Sequence, residues 1–422
     1  MRLSGYSRSV PTDGSVDSRL HVRALALQYH QQPVHILISI DSIGLPVAMT
    51  SDIANKLQAE LQIAREQIVF CNTHTHSGPH LFEYYVFGFM MGYSESDGRI
   101  ANDYRNRLRD WIVQAAKQAV AGLRPASVSH TQGTVGFAAH RGLKLKDTDP
   151  DFVPDLSGPV DHALPLLCLK NEDNQIVALV FNYACHCTTL DSEYNKINSD
   201  WAGAATDQLE LDFPGSVALC TIGCGGDCDP EPRGSLQLIN QHARSIATEV
   251  KRLVQKPMTM VGQPIASRYE HADLAFELPT VSQLKARQSP GKFFLLSGSH
   301  AYRMLELLKR GGKLPATYHA PIQTWNFGNQ LTMVFLSGEV VVDYALRLKK
   351  ELADPNLWVT AYANDVFGFI DSERMRPERG NQYRESPEYF NQPGPWASGT
   401  EDRLINRVKE LIAHTRDSAP QP

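Results

Sequence analysis

The fold of this chain is limited most by a set of apolar runs that do not alternate. VHILISID from Val34, IVFCNT from Ile68, IVALVFNYA from Ile176, SVALCTIG from Ser216, LTMVFLSG from Leu331 and LWVTAYAN from Leu357 are apolar at consecutive positions. Neighbouring side chains of a strand point to opposite faces, so such strands must be covered on both. LHVRALAL, around residues 20–27, reads as a further strand, and DLAFELP at 273–279 alternates and predicts an antiparallel one. Helical periodicity lies between the runs. Ser51 or Asp52 is the expected cap of a helix with Ile53, Leu57 and Leu61 on one face. A longer helix is expected over Asn102 to Leu123, with Leu108, Ile112, Ala115 and Ala119 on its stripe. Others are expected over Leu236–Val254, Val340–Leu352 and Glu401–Ile412, the last with Ser398 and Glu401 at capping-box spacing. Strands alternating with helices predict an α/β fold, a mixed β-sheet core flanked by helices with the active site at strand ends.

At 422 residues with 42% hydrophobic side chains, the chain can bury a large core. No sharp boundary interrupts it. The expected organisation is a single catalytic domain over residues 1–414, with 255–330 as a candidate subdomain and 415–422 as a disordered tail. The net charge of -5, with no basic block, excludes a nucleic-acid partner. No run approaches ~20 apolar residues, so no transmembrane segment is expected. The first residues, MRLSGYSRSVPTDG, lack the apolar stretch of a secretory leader. The odd count of 7 cysteines adds to the expectation of a reducing, cytoplasmic location.

The chemistry collects where the runs end. IVFCNT leads into His74 and His76, and Ser77-Gly78-Pro79 turns the chain directly behind them. IVALVFNYA leads into Cys185-His186-Cys187, SVALCTIG into Cys224-Gly225-Gly226-Asp227, LTMVFLSG into Glu339, and LWVTAYAN into Asp365. On an extended chain His74 and His76 face the same side. Each residue also has a plainer reading: a core histidine for His74 or His186, a helix-dipole charge for Glu339, a turn residue for Asp227. Together one histidine of the pair His74 and His76, with His186 and Glu339, makes the His/His/Glu set of a catalytic zinc site, which leaves a position for water.

THTHSGP at 73–79 resembles the signature of the neutral/alkaline (non-lysosomal) ceramidase family. NYACHCTTL, NSDWAG at 198–203, GCGGDCDP at 223–230, SGE at 337–339 and Ala363-Asn364 with Phe369-Ile370 resemble further family segments in the same order. The resemblance implies a catalytic domain that binds Zn2+ through His74, His186 and Glu339. It implies proton transfer by His76, and Arg141 and Tyr383 at the carbonyl oxygen. Asp200 or Asp227 is expected to orient a ligand histidine. The sequence departs from the family at Phe369, which stands where a tyrosine zinc ligand is expected. Water, Asp365 or Asp371 are the candidate replacements. Asp229 stands where the family has a serine, so a serine nucleophile is not expected there. The family's secretory leader and C-terminal β-sandwich find no counterpart, and a substrate other than ceramide is expected.

The implied function is hydrolysis of an N-acyl amide by zinc-activated water, on a small-molecule or lipid-like substrate. HLFEYYVFGFMMGY at 80–93, with Trp201 and Trp396, is a candidate wall for an acyl pocket, or else ordinary core. Three alternatives stay open: an esterase or lactonase on the same scaffold, a non-catalytic binding homologue, and an iron–sulfur protein using Cys220, Cys224 and Cys228. The spacing of those cysteines is unlike common cluster runs.

Overall fold

The apolar runs become strands of three sheets that pack around a shared interior. A computed structural model of the chain describes residues 1–6, 11–81, 94–141, 153–288, 298–376 and 389–417. The first sheet joins Val22–Leu27, His35–Ile40 and Ile68–Asn72 in that order. The second runs Thr259–Met260, Ser127–Thr134, Ala163–Lys170, Ile176–Tyr183 and Val217–Ile222. The third runs Ile265–Ala275, Thr317–Phe327, Leu331–Leu336 and Leu357–Thr360. Each sheet is mixed. Its one parallel pair is linked through a helix: Val47–Leu61, Asp200–Asp212 and Val342–Leu352 respectively. Parallel neighbours need such a crossover, because a tight turn cannot reverse the chain twice.

Leu37, Val69, Leu167, Val180, Leu219, Trp325, Met333 and Phe335 are buried in one cluster drawn from all three sheets. The helices Val47–Leu61 and Glu95–Ala121 cover the outer face of the first sheet with Ile53, Leu57, Leu108 and Ile112. Asp200–Asp212 and Leu236–Val254 cover the second through Trp201, Leu209, Ile246 and Val250. Both faces are thus dry, as the uninterrupted runs require. Among the described residues no helix is long and apolar enough to cross a membrane.

Several boundaries differ from expectation. The first helix starts at Val47, with Ser51 and Asp52 inside it. The carboxylate of Asp365 accepts the Val47 N–H at 3.0 Å and so caps the helix from a distant segment. The second begins at Glu95, capped by Ser94 with Asp97 completing a capping box. Ser398 does not box with Glu401. It donates to Glu373, while Glu401 accepts from Glu373 N–H and Arg347. The last helix, Thr400–Asp417, continues past the expected end of order. Thr415 is buried and its hydroxyl lies 2.6 Å from that of Thr324, so residues 415–417 belong to the fold. Residues 265–275 and 317–327 share a sheet with Leu331–Leu336, so the candidate subdomain 255–330 supplies two strands of a common sheet. The strand expected at 273–279 begins earlier, at Ile265, and ends at Ala275.

His35, His80 and His300 are buried. Burial lowers His35, His80 and His300 to about 4. An unfolded chain holds histidine near ~6.5, so below that pH the unfolded state binds the extra protons. The stability these neutral rings contribute is full above pH ~6.5 and is lost as pH falls toward 4. Urea unfolding at pH 7, 6 and 5 should show a falling free energy, with up to about 1.4 kcal/mol per pH unit from each ring. His35→Gln should reduce that slope.

Candidate functional site

The parallel strand ends of the three sheets meet at one place. His74 follows Ile68–Asn72, His186 follows Ile176–Tyr183, and Glu339 follows Leu331–Leu336. Nε2 of His74 and Nε2 of His186 each lie 3.2 Å from the same oxygen, Oε2 of Glu339. Ligand atoms of His74, His76 and His186 lie within 4.8 Å of one another, a cluster that could hold a metal ion, and the Glu339 carboxylate adjoins two of its three rings. Cys220, Cys224 and Cys228 form no such group. All seven cysteines are free and buried.

Backbone carbonyls set the direction of the two buried imidazoles. Nδ1 of His74 is 2.5 Å from Ile43 O, and Nδ1 of His186 is 2.7 Å from Gly225 O. A carbonyl only accepts, so each Nδ1 carries a proton and each ring turns its Nε2 toward Glu339. Burial, reinforced by Arg141, pushes His186 toward its neutral form, against the opposing pull of Glu339. Burial also acts to raise Glu339, yet the flanking His74 and His186 bring it down to about 2. Two Nε2 atoms and a carboxylate oxygen thus converge, with Nδ1 of each ring already committed to a carbonyl. That donor set fits a divalent cation.

The expected route to convergence was an extended His74-Thr75-His76. The strand instead ends at Asn72, and His74 has φ 59°, in the left-handed region. Its N–H donates to Ser42 O, and its ring lies 5.0 Å from that of His76. His186 is fixed at three points besides the cluster: its N–H to Cys228 O, its carbonyl to Trp201 Nε1 at 2.8 Å, and its Nδ1 to Gly225. Gly225 allows this because a Cβ there would sit 2.6 Å from Cys185 N.

Asp200 and Asp227 do not touch a ligand imidazole, contrary to expectation. Asp200 accepts from Thr189 N, Leu190 N and Trp201 N, closing the loop behind His186. Asp227 accepts from Val342 N at 2.8 Å and faces His140 Nε2 at 3.4 Å. Asp365, a candidate replacement ligand, is held by Val47 N and by Tyr318 Oη, and burial raises it to about 7. Asp371 accepts Tyr344 Oη on its backbone carbonyl. Phe369 pairs with Glu339 in a short parallel bridge, and its ring stacks on His186 at 6.1 Å. A tyrosine does approach, from a position the sequence reading passed over. Tyr362 Oη is 3.4 Å from His186 Nδ1, and its ring packs on His74 at 4.5 Å. Its place at the end of LWVTAYAN was the available signal.

Arg141 is buried and makes a two-pronged pair with Asp229, Nε at 3.0 Å and NH2 at 2.7 Å. Thr188 Oγ1 and Arg233 also donate to Asp229. Burial would raise the Asp229 carboxyl, but Arg141, then His186 and Arg233, hold it well below the usual carboxylate range. The Arg141 guanidinium lies 6.0 Å over Phe369, next to the histidines. Trp201 and Trp396 are buried and hydrogen-bonded, Trp396 Nε1 to Phe369 O at 2.6 Å. Tyr383 and residues 82–93 of the aromatic run lie outside the described residues.

The family model described as neutral/alkaline non-lysosomal ceramidase, N-terminal, matches residues 1–221. The chain is 22% identical over 248 residues to Neutral ceramidase A of Dictyostelium discoideum, covering 55% of this chain and 34% of that protein. It is 22% identical over 216 residues to the Neutral ceramidase of Pseudomonas aeruginosa, covering 50% and 31%. These matches thus span about a third of the relatives' length. The crystal structure of neutral ceramidase from Pseudomonas aeruginosa superimposes with a TM-score of 0.74 at 18% identity, covering 100% of this chain and 72% of that one. At that identity the likeness shows the shared α/β fold.

Replacing Arg141 with Met would leave Asp229 buried with Arg233 and Thr188 alone. Stability at pH 7 should fall by about 3 kcal/mol. A depressed carboxyl contributes stability above its unfolded pKa and loses it as pH falls. The gap between Arg141→Met and the natural chain, measured by urea unfolding, should therefore narrow below pH ~4.

Proposed function

The chain belongs to the neutral/alkaline non-lysosomal ceramidase family, and from that membership we propose that it is a zinc-dependent hydrolase of N-acyl amide bonds in a lipid-like substrate. The observation that carries this reading is the convergence of His74 Nε2, His186 Nε2 and Glu339 Oε2 with both Nδ1 atoms engaged by carbonyls. His74, His186 and Glu339 would hold the ion. When bound, zinc supplies a Lewis acid that makes water nucleophilic near neutrality.

The chain's own groups supply the rest. His76 is half-buried beside the other two rings, placed to move a proton between the attacking water and the leaving nitrogen. Arg141, neutralised by Asp229, presents its guanidinium above Phe369 and would donate toward a developing oxyanion. Tyr383 is assigned to the same oxygen on the family resemblance. Phe369 and Asp229, which replace a tyrosine and a serine of the family pattern, support a substrate other than ceramide.

The purified protein should hold about one zinc per chain. His74→Ala and Glu339→Ala should lose it, and chelation should abolish turnover until zinc is returned. His76→Ala should keep the metal while turnover of an N-acyl amide drops about 100-fold. Elemental analysis paired with a panel of ceramide, shorter N-acyl amides and matched esters tests each step. No zinc above background would end the metal reading, and turnover confined to esters would move the reaction to the esterase alternative.

A further inference from the structure

The segment that reaches over His76 has no part in the roles assigned above. Leu3 bridges to Pro79, and Ser4 donates its N–H to Gly78 O at 2.8 Å. Ser4 Oγ lies 3.0 Å from both Gly78 O and Pro79 O. Two residues on, Tyr6 Oη donates to Leu190 O at 2.7 Å. Residues 3–6 therefore tie the loop that carries His74 and His76 to the loop that follows His186.

What lies between those two anchors is the imidazole of His76. Gly5 has φ 64° and presses on the ring: a Cβ there would fall 2.3 Å from His76 Cγ and 2.5 Å from Nδ1. Both the conformation and the space demand glycine. Tyr6 is itself left-handed, at φ 49°, and its ring meets His76 edge to face at 4.8 Å. A tyrosine in that region is uncommon and persists only when its surroundings over-determine it. Here the hydroxyl bond to Leu190 and the ring contact do so. On its other side His76 meets His74 at 5.0 Å and His186 at 5.7 Å. The imidazole is held between the strap and the two rings of the cluster.

We propose that residues 3–6 are a strap that sets the orientation of His76, with Tyr6 as a positioning residue and Gly5 as the residue type that fits against the ring. The inference rests on the reading of His76 as the proton-transfer group. Misplacing such a group by about 1 Å can lower turnover by about 100-fold.

Tyr6→Phe keeps the ring against His76 and removes the bond to Leu190, whereas Tyr6→Ala removes both. On a soluble N-acyl amide, kcat should fall about tenfold in Tyr6→Ala, with KM, zinc content and thermal transition unchanged. Tyr6→Phe should recover most of that loss. A readout independent of turnover is the His76 ring signal in protein labelled at its histidine carbons, assigned by its absence from His76→Ala. It should move in Tyr6→Ala and stay in Tyr6→Phe. An unmoved signal in Tyr6→Ala overturns the strap whether or not the amide is cleaved. A kcat loss that tracks loss of zinc or of folded protein also overturns it. A signal that moves as expected while even the natural chain cleaves no amide supports the strap and counts against the hydrolase reading alone.

Discussion

A carbonyl oxygen cannot give up a proton, so the histidines that face Ile43 and Gly225 must offer one. That constraint puts a proton on Nδ1 of both rings and turns both Nε2 atoms toward Glu339. The carbonyls are themselves held tightly. Gly225 can deliver its oxygen because the missing side chain lets it approach the backbone of Cys185. His74 can turn toward Ile43 because its backbone leaves the extended conformation immediately after the strand. The donor set is thus a product of backbone placement before it is a product of side-chain identity.

The charges around it are balanced locally. Arg141 is cationic and buried next to the histidines, an arrangement that would be costly if left unpaired. Asp229 takes that charge with two parallel hydrogen bonds and brings Thr188, two residues after His186, into the same network. The guanidinium and the histidine loop are therefore fixed by one carboxylate. Phe369 occupies its position by packing: its backbone pairs with Glu339 and its ring lies on His186.

Much of the fold was legible because strands buried on both faces write themselves as unbroken apolar runs. Ser127–Thr134 went unread, since SVSHTQGT is mostly polar. Helix starts were misplaced where a distant group does the capping, as Asp365 does for Val47. At the site, His74, His186 and Glu339 stood out because a strand end is a local feature of sequence. The partners of Asp200 and Asp227 did not, because they are chosen by which loops the tertiary fold brings alongside. The carbonyls of Ile43 and Gly225 left no trace at all, since every residue has one.

The three residues that face one another at the cluster come from the ends of three different sheets, and His186 is separated from Glu339 by 153 positions in the chain. Each sheet supplies one member, so the cluster cannot exist in a partly assembled chain. Its geometry is in effect a checkpoint: the constellation appears only when all three sheets have docked, and a chain that stalls before that point carries the same residues apart from one another.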